Sequence, residues 1–490
     1  MSAASPSSDS NLKKRLSKSI STTDAYNLKL NMMDVDKESQ DMLAKNNRIR
    51  TRNIFINAVA VMLVYSSYYG GAAVMPTAFS DMNGRHGVDK HTAFTGLMIN
   101  NLFVVIAAFV TPFIMKLIGM RLSLVLGSMC SIPITLALFM PYNFTIFIGQ
   151  AINGIGNAFS RAVSLQFLSE NSTKEKMARN SGIHWMIFMS CILFGNTVLY
   201  FGIGDKKFLD DNTRMVVSGA LTAMCVTGCI LYCFTVTPPP LPPSGLEDEE
   251  APLIGKKMSF SSAGASSRSD SESTAGSKIE DYDELTLLGQ LKTSLRPLFK
   301  RKNIYLLLPL CSTGIYSQLY TPLIPAYIGI LFEERSFVAQ FGIFVGLGEI
   351  IGGRPAGKIV ARLGFKRTAV ITTTLGVAAY LLIAFMFPLF YSHSVPALYP
   401  NRWGNNMLGI AIGIIDVTNN VIITTAIGTV YKDDSAQIFT LVVLMMNSSG
   451  IIRYIMMSYM PLVAIVSVNV IGLVGSCGSL CLIPSSMLHY

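Results

Sequence analysis

EIIGGRPAGKIVARLGFKR, residues 349–367, separates two apolar runs, FVAQFGIFVGLGEIIGG before it and TAVITTTLGVAAYLLIAFMFPLF after it. An apolar helix that ends in a short basic loop and turns straight into a second one is a transmembrane hairpin, with the loop on the cytoplasmic side. Gly364 supplies a turn that a Cβ would obstruct. Arg362, Lys366 and Arg367 are placed to sit under helix C-termini and at an anionic lipid surface.

The rest of the composition agrees. The chain has 490 residues, of which 51% are hydrophobic and 14% charged, with a net charge of +10. A soluble domain carries about 25% charged residues. Most Lys and Arg collect in the N-terminal segment, a central linker and alternate short loops, so the basic excess follows the positive-inside pattern and does not signal nucleic acid. The eight Cys lie in or at the start of apolar runs, which leaves no disulfide framework. Cys225, Cys229 and Cys233 recur at one-turn spacing as small packing residues, and Cys233 alone is placed for reversible acylation.

In chain order, residues 1–52 are polar, Ser-rich and basic, and are expected to be a disordered cytoplasmic tail without a signal peptide. Twelve apolar runs follow, near 53–76, 93–115, 122–140, 144–168, 180–202, 215–236, 304–331, 337–358, 368–390, 404–430, 437–458 and 460–484. Residues 53–236 and 303–484 thus form two six-helix halves. A cytoplasmic linker, 237–302, divides them. It opens TPPPLPP, runs through a mostly disordered Ser-rich tract, and ends with amphipathic spacing over 285–299. Residues 485–490 are a short cytoplasmic C-terminus.

The halves read as repeats. The loop after the second run, MKLIGMRLSLVLG, matches the opening hairpin: Gly119 and Arg121 keep the turn and the charge. The fourth run carries Gly154 to Arg161 and the tenth Gly409 to Asp416, each a glycine followed seven positions later by a charge. The loop Gly357-Lys-Ile-Val-Ala-Arg362-Leu-Gly364-Phe-Lys366-Arg367 resembles the loop signature of the major facilitator superfamily. Its usual Asp is absent from both copies, replaced by Ala361 and Lys116. The resemblance implies an all-α membrane protein with twelve transmembrane helices in two pseudo-symmetric six-helix bundles. FLSENS (167–172), RNSGIHWMIFMSCILFGN (179–196), GLGEIIGG (346–353) and GIIDVTNN (413–420) are similar to the uncoordinated-93-like branch of that superfamily. One place departs: Arg161 stands where that branch tends to carry an aromatic residue. The branch implies a facilitator fold without established transport. Its members are linked to regulating potassium channels and to escorting membrane receptors.

No nucleotide loop, metal-ligand spacing or nucleophile elbow is present, so neither an enzyme nor a cofactor is indicated. Charges inside spans carry the functional signal. They are Arg161, Glu349, Arg354, Asp416 and Arg453, all outside the third, sixth, ninth and twelfth runs, which the facilitator fold places against lipid. Arg354 and Arg453 lie near span ends and suit snorkelling. Asn419, Asn420 and Gln166 join Arg161, Glu349 and Asp416 as cavity or coupling candidates. Arg161 and Asp416, at matched depths and of opposite sign, are expected to pair directly or through water; Glu349 is the competing partner. His184 is expected to be a packed, hydrogen-bonded imidazole. Tyr65–Tyr69 with Gly70 and Gly71 suit small-residue packing or a ligand-contacting face.

Two strings in the linker, Glu249 with Leu253-Ile254 and Asp283 with Leu287-Leu288, resemble sorting signals read by an adaptor. Two functions therefore stand open. One is an accessory subunit of an ion channel, or an escort for a receptor. The other is a secondary transporter of a small-molecule solute. Both place the chain in the bilayer of the plasma membrane or of endosomes and lysosomes, with both termini cytoplasmic.

Overall fold

The computed structural model describes residues 22–82, 87–88, 90–204, 206, 209–239, 289, 304–318, 335–386, 402–430, 435–459 and 462–483. The chain divides into two compact units, 1–52 with 239–256, and 53–238 with 257–490. The helices are α1 (Thr22–Asp81), α2 (Lys90–Ile118), α3 (Met120–Met129), α4 (Ile132–Ala137), α5 (Asn143–Glu170), α6 (Met177–Ile203), α7 (Asp211–Tyr232), α8 (Ile304–Gln318), α9 (Arg335–Met386), α10 (Arg402–Val430), α11 (Ser435–Tyr459) and α12 (Leu462–Cys481). Among the described residues, nine helices are long and apolar enough to cross a membrane, with α9 counted once although it turns in its middle. Helices meet the bilayer's demand that every backbone polar group be paired within the segment. All eight Cys are free.

Helix α1 corrects one expectation. It begins at Thr22, so residues 22–52 are helical where a disordered tail was expected. The reason lies in their composition: the stretch has neither Gly nor Pro and carries three residues each of the good helix formers Leu, Met, Lys and Arg. Low hydrophobicity argued against burial, which is a separate matter from helicity. The tract 240–288, with most of the linker, falls outside the described residues.

The two hairpin loops are built alike. Gly119 has φ 80° and ψ 160°, and Gly364 has φ 76° and ψ 163°, a region open to glycine alone. Four residues on, a hydroxyl returns to each glycine carbonyl: Ser123 Oγ donates at 2.8 Å to Gly119 O, and Thr368 Oγ1 at 2.8 Å to Gly364 O. Two residues on, a cation reaches the end of the last helix of its own half. Arg121 donates to Cys233 O at 3.1 Å, just beyond α7, and Lys366 Nζ donates to Ile483 O, just beyond α12. Unpaired carbonyls at a helix C-terminus favour a cation there. The loop signature is thus a pair of matching helix-end clasps. Arg362 and Arg367 lie exposed instead.

Packing follows the same repeat. In the unit holding the spans, α2 packs on α5 and α11, and the first arm of α9, residues 335–363, packs on α10 and α6. Exchange of the halves turns one set of contacts into the other. Glycines set how close α9 comes. A Cβ on Gly348 would collide with Ile410 O, and one on Gly413 with Val345 O. At Gly352 it would lie 3.0 Å from Ile414 Cα. On the opposite side, a Cβ on Gly182 would lie 2.8 Å from Gly353 O, and one on Gly357 2.7 Å from Ala178 O. Gly357, read from sequence as a loop residue, is therefore a helix-packing residue. Small residues at one-turn spacing let backbones meet where lipid supplies no hydrophobic drive.

At the basic-loop ends of α1, α5 and α6 the family-like motifs meet one another. Asn53 Nδ2 donates to Asn171 Oδ1 at 3.0 Å and to Val236 O at 2.8 Å, while its Oδ1 accepts from Val236 N at 3.2 Å. Asn180 Nδ2 donates to Ser172 Oγ at 3.0 Å. FLSENS and RNSG are thus two sides of one clasp. Asn53→Leu removes three hydrogen bonds, the one to Asn171 buried, and is expected to lower stability by about 2 kcal/mol. Reversible unfolding in mixed micelles checks this; a loss under about 1 kcal/mol contradicts the clasp. Outside the spans, Asp210 caps α7 by accepting from Thr213 N at 3.4 Å. The Thr213 hydroxyl, then Lys206, pulls its carboxyl down to about 2. The cap's charge-dependent contribution is complete above a pH of about 4 and fades as pH falls through the lower value.

Candidate functional site

The spans from both halves converge on a buried polar cluster. From α5, Arg161 donates through Nη2 to Met446 Sδ of α11 at 3.8 Å. From α6, Trp185 Nε1 donates to Thr424 Oγ1 of α10 at 2.8 Å. Both bonds join residues of the first half to residues of the second. Arg161, Trp185, Asn420, Thr424, Phe439 and Met446 line a cavity of about 10 Å³. That is the space of one water. Asn420 Nδ2 turns the other way, to Asp416 Oδ2 at 3.1 Å and to Asp416 O at 3.0 Å.

The expected ion pair between Arg161 and Asp416 is not formed. The guanidinium goes to sulfur and the cavity, while Asn420, which also lines the cavity, donates to the acid. Asp416 is 0% exposed, as is Glu349 on α9. The two carboxylates are electrostatic neighbours. The Cys191 thiol of α6 lies within electrostatic reach of Glu349, Arg161 and Asp416, so the three charges surround one region. Among the described residues, neither oxygen of Glu349 has a hydrogen-bond partner.

The other candidates separate. Gln166 is half-buried and donates to Glu170 at 2.9 Å along its own helix; Asn419 is half-buried. Arg354 is exposed, and the Arg453 side chain, like both sorting strings at 249–254 and 283–288, lies outside the described residues. His184 is packed as expected, at 6.1 Å from the Trp185 ring and 6.0 Å from Phe188, but neither ring nitrogen is hydrogen-bonded. On α1, Ser66 and Ser67 return their hydroxyls to their own helix, and Tyr65 packs edge-on against Phe188 at 5.0 Å. That favours the packing reading of the tyrosine run.

Sequence reasoning passed over Trp185. The chain holds two Trp, and this one sits eight residues into a span. Indoles concentrate at membrane interfaces, where the N–H stays wet. One deep inside a span needs an acceptor, and the Thr-rich tenth run offers several.

A family model described as "Ion channel regulatory protein UNC-93" matches residues 84–482. The UNC93-like protein MFSD11 of Xenopus tropicalis is 24% identical over 430 residues, covering 84% of this chain and 90% of that protein. Its Xenopus laevis counterpart is 23% identical over 431 residues, with the same coverage. Among solved structures, the proton:xylose symporter XylE aligns at TM-score 0.61 and 11% identity, over 89% of this chain and 97% of that one. The human organic anion transporter MFSD10 aligns at 0.54 and 13%, over 88% and 99%. At such identities the structural likeness speaks for the fold alone. The match across most of the chain places it: this multi-pass membrane protein belongs to the UNC-93 family and has the major facilitator fold.

Proposed function

We propose that the chain is a regulatory subunit of an ion channel, of the potassium-selective class by family resemblance, or an escort for a membrane partner. The observation that carries this is the family match over residues 84–482. Two features agree with it. The loop acids of the transporter signature are absent, and the loop cations serve as helix-end clasps. The cavity at Arg161 has the space of one water. Co-purification of the chain with a channel from native membranes, together with a changed channel current on its removal, supports the reading. Ion-coupled uptake of a solute by the purified chain in liposomes sinks the accessory-only form.

Transport is the second reading, and Glu349 favours it: a buried carboxyl without a partner is a group that a carrier uses to couple. Both termini and residues 237–302 are assigned to the cytoplasm by the distribution of Lys and Arg along the chain. Leu253→Ala with Ile254→Ala is expected to shift the protein from endosomal membranes to the cell surface. An unchanged distribution by surface labelling removes the adaptor from this account.

A further inference from the structure

We propose that Glu349 is a proton-binding site that ties the packing of α9 against α10 to pH. This stands apart from the regulatory reading and holds for a channel regulator or a carrier alike.

The geometry carries the proposal. Glu349 is 0% exposed, and among the described residues both carboxyl oxygens lack a partner. Its own backbone nitrogen would lie 2.9 Å from a Cβ on Gly413, so it sits where two helices meet without side chains between them. Among the described residues, the titratable groups around it are Asp416 from α10, Cys191 from α6 and Tyr316 from α8. His184, also on α6, is packed against Trp185 and Phe188. None of these offers a cation to a carboxylate, and Arg161 Nη2 donates to Met446 Sδ. Asp416 differs, because Asn420 donates to it.

An ionised carboxylate buried in a span is costly, and a neighbouring acid adds to that cost. A proton removes the charge. A metal ion would need several further oxygens, and no group of three or more His, Cys, Asp or Glu gathers among the described residues. When α9 parts from α10, water reaches the carboxyl and it ionises. The packed state therefore holds one proton more than the parted state. Linkage fixes the sign: low pH favours the packed state, by up to about tenfold in population per pH unit.

The test uses the full chain in lipid nanodiscs. Infrared spectroscopy of the wild type at neutral pH is expected to show a protonated-carboxyl stretch, which Glu349→Gln removes. Backbone hydrogen exchange in peptides covering 345–352 and 410–417, corrected for intrinsic rates, is expected to rise up to about tenfold per unit between about pH 6 and 8. In Glu349→Gln it stays flat and slow, because the amide copies the protonated form. Absence of the band, its survival in Glu349→Gln, or an equal pH slope in both proteins overturns the proposal. A slope that sodium replaces at fixed pH assigns a metal cation and overturns it too. If the variant fails to fold, the wild-type band and slope still decide: loss of either one refutes the site.

Discussion

Trp185→Ala is expected to lower the stability of the folded chain by about 3–5 kcal/mol, the usual cost of emptying a fully buried indole site. Trp185 is 2% exposed and lies stacked on Phe188 with centroids 5.1 Å apart. Its Nε1 makes the bond to Thr424 that joins α6 of the first half to α10 of the second. The loss therefore falls on the contact between halves as well as on one core. Thr424→Val separates the two parts: it keeps the volume, strands one buried N–H, and is expected to cost about 1–3 kcal/mol. Unfolding in mixed micelles reads both. A Trp185→Ala loss under about 1 kcal/mol would mean that the indole packs elsewhere.

Gly413→Leu is expected to be as damaging, for a different reason. A Cβ there strikes Val345 O, which belongs to a helix backbone and cannot rotate away. Overpacking of a flexible core costs about 1–3 kcal/mol, and more where only backbone can yield. Here α9 must move off α10, which breaks the reciprocal contact at Gly348 and Ile410. Gly478→Leu is the control, since nothing lies within 4 Å of a Cβ at that position. Size-exclusion behaviour and yield are expected to collapse for Gly413→Leu and to hold for Gly478→Leu. Equal behaviour of the two variants would remove the close-contact argument.

These two positions show what a sequence carries in such a protein. The hairpin at 349–367 was legible because a span, a basic loop and a glycine each impose a local constraint, and Gly364 takes the positive φ expected of it. The repeat was legible through Gly119 and Arg121 for the same reason. The pairing of Arg161 with Asp416 was not. Matched sequence position gives matched depth, but it leaves rotation about each helix axis open. Asn420, one turn or about 6 Å beyond Asp416, lines the cavity with Arg161. The contacts that hold the halves together, at Trp185, Met446 and the glycines of α9, join residues far apart in the chain. No local pattern announces them. The helix over 22–52 was missed because polarity was read as disorder, although polarity excludes burial and not helicity.

The buried charges and the family likeness pull toward different functions, and the fold accommodates both. A facilitator fold supplies two repeats that pack through α2, α5, α6, α9, α10 and α11. Whether that frame moves a solute or holds a partner is decided by its site and not by its fold. The Arg161 cavity admits one water. The measurement that tests the regulatory reading most directly is the whole-cell potassium current in cells lacking the chain, before and after its re-expression. The account predicts a current whose amplitude or gating changes on removal and returns on re-expression. An unchanged current, in cells where the purified protein drives ion-coupled solute uptake in liposomes, would contradict it.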